Sequence, residues 1–162
     1  MFFSDRSVNS AKNKNMKRTI SLIIIILTVF AAAQNSAACY KDLALSDDDV
    51  VLTAKAVREY ADGKNFLVKA AVTAMIYNRI GDPALPSDVE GALSCPRPAL
   101  VPSPGVVPYD MLEEYVVLAK LVRDYGIDPT CGAVFCFGEG DPAARGYDVT
   151  LILDGLVFAK PY

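Results

Sequence analysis

The chain has 162 residues, of which 52% are hydrophobic, and a formal net charge of −3 at pH 7. It contains no histidine, which excludes a Ser-His-Asp triad and a Cys-His nucleophile pair. Its four cysteines include no C-x-x-C pair, so a structural zinc site is not expected. Residues 39–162 carry 11 basic and 18 acidic side chains, a net charge of −7, which argues against nucleic acid and anionic lipid as partners.

The first 38 residues have the layout of a secretory signal peptide. A basic start at Met16 precedes an apolar run over 20–33, and small and polar residues follow up to Ala38. The apolar run has 14 residues, fewer than the roughly 20 that span a bilayer, so we predict a cleaved leader and not a permanent anchor. We therefore expect 1–38 to be the signal peptide, with Met16 as the alternative true start, and an exported protein that is secreted, periplasmic or associated with the cell wall. Cleavage after Ala38 would expose Cys39, and a lipid anchor on this residue is the alternative.

Residues 39–162 are long enough for one domain with its own core. The first predicted helix starts after Ser46, where three aspartates (47–49) favour the positive end of the helix dipole. It runs to about Asp62 and ends at Gly63. At 100° per residue, the buried stripe is Val50, Ala54, Val57 and Ala61.

The next segments predict three more helices and one long loop. Residues 66–80 are apolar on nearly every side, which indicates the buried central helix. The capping-box pattern over 87–90 predicts a short helix to Leu93. Five prolines in 95–108 predict an irregular loop, and the last helix is predicted from Asp110, with Glu113 three residues later, to Gly126.

The final third predicts a small antiparallel sheet. The strands are expected at 133–137, 149–153 and 156–160, and Asp154-Gly155 is a strong two-residue hairpin pattern. Helices followed by such a sheet predict an α+β domain.

The four cysteines, which the leader would carry to an oxidising compartment, are candidates for one or two disulfides. Cys39, Cys95, Cys131 and Cys136 allow three pairings, among which the sequence does not choose.

Five segments occur in an order and at spacings that resemble the SleB-type cell wall hydrolases, the spore-cortex-lytic enzyme family. They are "LTAKAVREYADG", "VKAAVTAMIYNRI", "LPSDVEGAL", "DPTCGAVFCF" and "LVFAK". The resemblance implies a single lysozyme-like domain over 39–162 that cuts peptidoglycan glycan strands between muramic acid and glucosamine. The reaction is often that of a lytic transglycosylase and needs no metal or cofactor. Peptidoglycan strands are the implied partner, and a monomer is expected.

The position that the family uses for its catalytic acid is occupied by a tyrosine. By the resemblance, the catalytic Glu lies three residues before the glycine that ends the first helix, which is Tyr60 here. The helical wheel places Thr53 and Tyr60 on the flank of the buried stripe, where a cleft would lie, and Glu59 on the opposite face. Glu59 is thus expected at the surface, with a displaced catalytic acid as the alternative, and Glu139 in the loop after the first strand is the candidate substitute.

Two further positions depart from the family pattern. Residues 98–100, "PAL", stand where the resemblance implies a Gln-Phe-Ser-like element, and Leu156 stands at an implied histidine. The sequence therefore leaves three hypotheses: an active glycosidase that uses Glu59 or Glu139, a non-catalytic wall-binding or regulatory domain, and a secreted disulfide-linked domain with a protein partner.

Overall fold

The computed structural model describes residues 40–162. The predicted signal peptide, the alternative start at Met16 and the alternative lipid anchor at Cys39 lie outside these residues. Within the described range, no helix combines the length and the apolar character that crossing a membrane requires. The helices are α1 (Asp47–Ala61), α2 (Phe66–Gly81), α3 (Val89–Ser94) and α4 (Glu113–Tyr125), and the strands are β1 (Phe135–Gly138), β2 (Asp148–Leu153) and β3 (Leu156–Lys160). Three short 3₁₀ helices cover Tyr40–Asp42, Tyr109–Met111 and Pro142–Gly146.

Helix α2 is the centre of the core, as its apolar sequence predicts. Twelve of its 16 residues are buried, and it packs against α1, α3 and α4. Its Asn65 cap accepts a hydrogen bond from the Val68 N–H (3.1 Å), which satisfies one of the free donors at the helix start. The central helix thus organises the helical layer on which the sheet packs.

Two predicted helix starts were wrong. Helix α3 is capped by Asp88, which accepts from the Gly91 N–H (2.7 Å), and not by Ser87. Helix α4 starts at Glu113 after a separate 3₁₀ turn, with Leu112 at the cap position and no side-chain cap. Helix α1 starts after Ser46 as predicted, and Ser46 and Asp49 form a capping box there.

The sheet has the order β1-β3-β2, with both pairs antiparallel. Asp154 and Gly155 at the β2–β3 turn have φ values of 52° and 78°, as a type I′ hairpin turn requires. Strand β1 starts at Phe135 rather than at residue 133. The carbonyls of Ala133 and Val134 accept hydrogen bonds from the side chains of α2, so this part of the chain is held by the helix.

One face of the sheet packs on the helices, through Cys136 and Phe158 among others. The other face is covered by the segment after β1, in which Tyr147 contacts the rings of Phe135 and Phe137. The α+β architecture predicted from the sequence is confirmed. No disulfide joins the described cysteines, since Cys95, Cys131 and Cys136 are free thiols; Cys39 lies outside the described residues.

Candidate functional site

The end of helix α1 presents a tyrosine to solvent beside a buried stripe. Val50, Ala54, Val57 and Ala61 are all at most 1% exposed, so the predicted stripe is confirmed. Tyr60 is 36% exposed, while Thr53, expected at a cleft border, is instead fully buried. The Thr53 hydroxyl donates to the Asp49 carbonyl one turn earlier (2.9 Å), which lets the helix bury this polar group.

The Tyr60 hydroxyl meets a thiol of the sheet. Its oxygen lies 3.8 Å from the Cys136 sulfur, and Cys136 is buried in β1. Burial raises the pKa of Tyr60 far above its ordinary value and raises the pKa of the Cys136 thiol to about 11. Both groups are therefore neutral at pH 7. We call this contact of Tyr60 with Cys136 the α1–β1 junction.

Two segments flank the α1–β1 junction. On one side, loop 95–108 is attached to α1 by Glu59, which accepts from Ser103, and the Arg97 carbonyl accepts from the Cys136 N–H (2.8 Å). On the other side, the Lys64 ammonium lies 2.9 Å from the Asp154 carboxylate at the hairpin turn. Tyr60 thus lies between a proline-rich loop and a hairpin turn, each attached by polar contacts.

Glu59 is at the surface, where the helical wheel places it. Its carboxylate accepts from the Ser103 N–H (2.8 Å) and from the Ser103 hydroxyl (2.6 Å). These two bonds hold the pKa of Glu59 below its ordinary value. A carboxylate that its hydrogen bonds keep ionised has no proton to donate, so Glu59 is unsuited to act as a general acid.

Asp62, one residue before Gly63, is engaged in the same manner. It accepts from the Tyr115 hydroxyl (2.7 Å) and the Gly63 N–H (3.0 Å), and these bonds lower its pKa. Tyr115 in turn lies under the Lys69 ammonium, 4.6 Å from its ring centre. This cluster joins α1, α2 and α4, which is a structural role.

Glu139 is brought to the hairpin side of the α1–β1 junction. It follows β1 directly, its side chain is exposed, and its backbone N–H donates to the Gly155 carbonyl (2.8 Å). It therefore neighbours the turn whose Asp154 is paired with Lys64.

The two other departures from the family pattern serve the core. Leu100 is buried, and its N–H donates to the Leu93 carbonyl (2.7 Å). Leu156 pairs with Gly138 across the sheet and packs against the helical core. Both positions contribute apolar packing where the resemblance implies polar groups.

Arg79 at the end of α2 is the strongest structural feature that the sequence did not reveal. Its side chain is fully buried, and its guanidinium donates to four carbonyls, those of Val134 (2.7 Å), Ala92 (2.9 Å), Pro98 (3.1 Å) and Arg97 (3.1 Å). Burial lowers the pKa of Arg79. One feature of the sequence pointed to this contact. A helical Ala92 carbonyl would accept a hydrogen bond from the N–H of residue 96, but that residue is a proline and has no N–H.

Asn78, the neighbour of Arg79, holds the turn that precedes β1. Its amide oxygen accepts from the Tyr40 hydroxyl (2.6 Å), and its amide nitrogen donates to the Ala133 carbonyl (3.0 Å), the Thr130 hydroxyl and the Asp128 carboxylate (both 3.3 Å). Together, Asn78 and Arg79 place β1, and with it Cys136, against the end of α1. Both residues thus have a structural role at the end of α2.

Comparison with known proteins agrees with the resemblance. No protein-family model matches the chain. The chain is 33% identical over 102 residues to the spore cortex-lytic enzyme of Halalkalibacterium halodurans, which covers 63% of this chain and 30% of that protein. The catalytic domain of the Bacillus cereus SleB protein superposes with a TM-score of 0.56 at 24% identity, over 71% of this chain and 91% of that domain. The chain is thus similar in sequence to a spore cortex-lytic enzyme and in fold to a SleB catalytic domain.

The catalytic domain of the germination-specific lytic transglycosylase SleB from Bacillus anthracis has the same fold, with a TM-score of 0.55 at 22% identity, over 72% of this chain and 98% of that domain. The SleB-type domain fold, lysozyme-like with a helical layer and a three-stranded sheet, is therefore shown for this chain. The chain spans about a third of the length of the curated relative it matches.

The described part of the chain also has a depression away from the α1–β1 junction. It is a groove of about 460 Å³ between the start of α2 and the outer face of α4, lined by Phe66, Glu113, Glu114, Val117, Leu118 and Leu121. Lys69 is paired with Glu114. We place the candidate site at the α1–β1 junction nevertheless, because segments from three parts of the chain meet there, at the residue where the resemblance implies an acid.

The described residues also limit the chemistry of the candidate site. Among residues 40–162, no three His, Cys, Asp or Glu side chains are grouped closely enough to hold a metal ion. Glycosidic cleavage by the family route requires a carboxyl group that first donates and then accepts a proton. The Tyr60 phenol, whose pKa burial raises, can donate a hydrogen bond but is a poor proton donor.

Proposed function

We propose that the chain is a peptidoglycan-directed SleB-type domain that binds glycan strands at the α1–β1 junction without the proton transfer of its relatives. One observation carries this proposal. Where the resemblance implies the catalytic Glu, Tyr60 directs its hydroxyl at the buried thiol of Cys136. The names of its relatives, a spore cortex-lytic enzyme and SleB catalytic domains, support the cell wall as the target.

The chemistry of the neighbouring carboxylates supports loss of catalysis. A glycosidase acid needs a raised pKa, which proteins obtain by partial burial. Glu59 and Asp62, the two carboxyl groups closest in sequence to Tyr60, are exposed, and their pKa values are lowered by the hydrogen bonds they accept. Neither is suited to protonate a glycosidic oxygen near pH 7.

Cleavage by a substitute acid is the second candidate function. It is favoured by the exposed Glu139 carboxylate on the hairpin side of the α1–β1 junction. Under this second candidate, the domain is a muramidase or lytic transglycosylase that cleaves the same strands with Glu139 as its acid.

Release of soluble fragments from purified peptidoglycan sacculi separates the two candidates. We expect the purified protein to sediment with sacculi and to release no muropeptides detectable by chromatography. Glu139→Gln tests the substitute acid, and Glu59→Gln tests the displaced acid on the other side of Tyr60. Release by the unmodified protein that Glu139→Gln abolishes would establish the second candidate and refute the first.

Restoring the acid provides the converse test. Tyr60→Glu is expected to introduce measurable glycan cleavage, because the new carboxyl group would be half-buried and its pKa raised. Tyr60→Phe, which removes the hydroxyl and adds no acid, is the control and should stay inactive.

Export to the cell wall is part of this proposal and rests on the leader-like residues 1–38. Expression of the full chain in a bacterial host, followed by fractionation and determination of the mature N-terminus, tests it. Cleavage after Ala38 is expected, and an unprocessed cytoplasmic protein would contradict it. A lipid-modified Cys39 would support the anchored alternative.

A further inference from the structure

We propose that the aromatic ring of Tyr60 is the surface on which a pyranose ring of the glycan strand stacks. This inference rests on the proposed function and adds to it the residue and the kind of contact. It assigns a binding role to the side chain that replaces the acid, at the same position of the fold.

The contact with Cys136 holds the ring in one orientation. The hydroxyl end is directed at the sulfur, 3.8 Å away, and the sulfur belongs to a residue that is 3% exposed. Tyr60 as a whole nevertheless keeps 36% of its surface exposed. Because the hydroxyl end faces the sheet, we infer that most of this exposed surface belongs to the ring. A ring that is held at its polar end and open to solvent on its apolar part loses little further entropy on binding.

The surroundings of the ring suit an amino-sugar strand. Hexopyranose rings have an apolar face of C–H bonds, which packs on aromatic surfaces, and a rim of hydroxyl and amide groups, which requires polar partners. The segments beside Tyr60 carry such groups: the Glu59–Ser103 pair on loop 95–108 and the Lys64–Asp154 pair at the hairpin turn. Carbohydrate-binding surfaces share this combination of an aromatic wall with a few placed polar groups.

The phenol also stays neutral. Burial raises the pKa of Tyr60, so no charge opposes the approach of an uncharged sugar at any pH near neutrality. A side chain that would bind sugar by apolar contact thus stands where the resemblance implies a proton donor.

The absence of tryptophan from the chain allows a direct test. Tyr60→Trp would introduce the single tryptophan of the protein at the proposed stacking surface. Titration with N-acetylglucosamine oligomers of four to six units should shift and enhance its emission to saturation. Tyr125→Trp, at an exposed tyrosine (67%) at the end of α4, is the matched control and should show no saturable change.

Affinity measurements on ring and non-ring variants complete the test. We expect Tyr60→Phe to bind the same oligomers and purified sacculi as the unmodified protein does, and Tyr60→Leu to bind about tenfold more weakly. Thermal unfolding of each variant establishes that it is folded, and where Tyr60→Leu fails to fold, the emission of Tyr60→Trp decides the outcome. Equal binding by Tyr60→Leu, or an unresponsive Tyr60→Trp in a protein that still binds sacculi, would overturn the stacking proposal and leave the proposed function intact. A protein that binds neither probe would overturn both.

Discussion

Replacing Arg79 by methionine would remove the group that joins α2 to the end of α3, to the loop that follows it and to the residue before β1. The guanidinium donates to the carbonyls of Ala92, Arg97, Pro98 and Val134, at 2.7 to 3.1 Å. Methionine is of similar length and fills much of the same space, but it donates no hydrogen bonds. The substitution therefore tests the hydrogen bonds with little change in packing volume.

The size of the effect follows from the carbonyls that lose a donor. The Arg97 carbonyl also accepts from the Cys136 N–H (2.8 Å), so we leave it out of the estimate. A buried acceptor without a partner costs about 1–3 kcal/mol, and at the low end of that range three carbonyls give a loss of about 3–4 kcal/mol. This is a large part of the roughly 5–15 kcal/mol by which a domain is stable. It corresponds to a fall of roughly 10–20 °C in Tm for a domain of this size.

Urea and thermal unfolding of the purified protein, followed by circular dichroism, would measure this loss. Arg145→Met, at an exposed arginine of the 3₁₀ helix after β1, is the matched control and should change the free energy of unfolding by less than about 0.5 kcal/mol. A loss below about 1 kcal/mol for Arg79→Met would contradict this prediction. It would mean that the carbonyls find other donors once the guanidinium is removed.

Three further predictions concern local features. Asp88→Ala should destabilise the protein by about 1 kcal/mol, because it removes the cap of α3, while Ser87→Ala should have little effect; equal losses in urea unfolding would contradict the assignment of the cap. Gly126→Ala should cost about 1 kcal/mol in the same assay, because Gly126 ends α4 in the left-handed conformation at φ 62°; an unchanged midpoint would count against that conformation. The pKa of Glu59 is lower in the folded than in the unfolded protein. The stability contributed by its bonds to Ser103 is therefore present above the unfolded pKa of about 4.3, and it is lost as the pH falls through the folded pKa. The protection of the Ser103 amide, which is its exchange rate relative to the intrinsic rate at the same pH, should therefore fall at acid pH. Glu59→Gln should show low protection already at pH 7, and a pH-independent protection of this amide would contradict the contact.

The periodicity of α1 was sufficient to predict its buried stripe and the outer position of Glu59, but not the burial of Thr53. Val50 and Ala54 are buried and Glu59 is exposed because a regular helix turns a constant angle per residue. The same is true of the Asp154-Gly155 turn, since few dipeptides adopt two successive positive φ values. Local rules failed where a second local structure competed, as at Asp88, which caps α3 in place of Ser87.

The order and type of the helices and strands, and the identity of the residue at the end of α1, could be read from the sequence alone. These follow from local backbone preferences and from a spacing that can be counted. Three contacts are visible only in the folded protein. Tyr60 contacts Cys136, 76 positions away, Ser103 donates to Glu59, and Arg79 donates to carbonyls of two other segments. Such contacts depend on how helices and strands pack, so no short-range pattern in the chain encodes them.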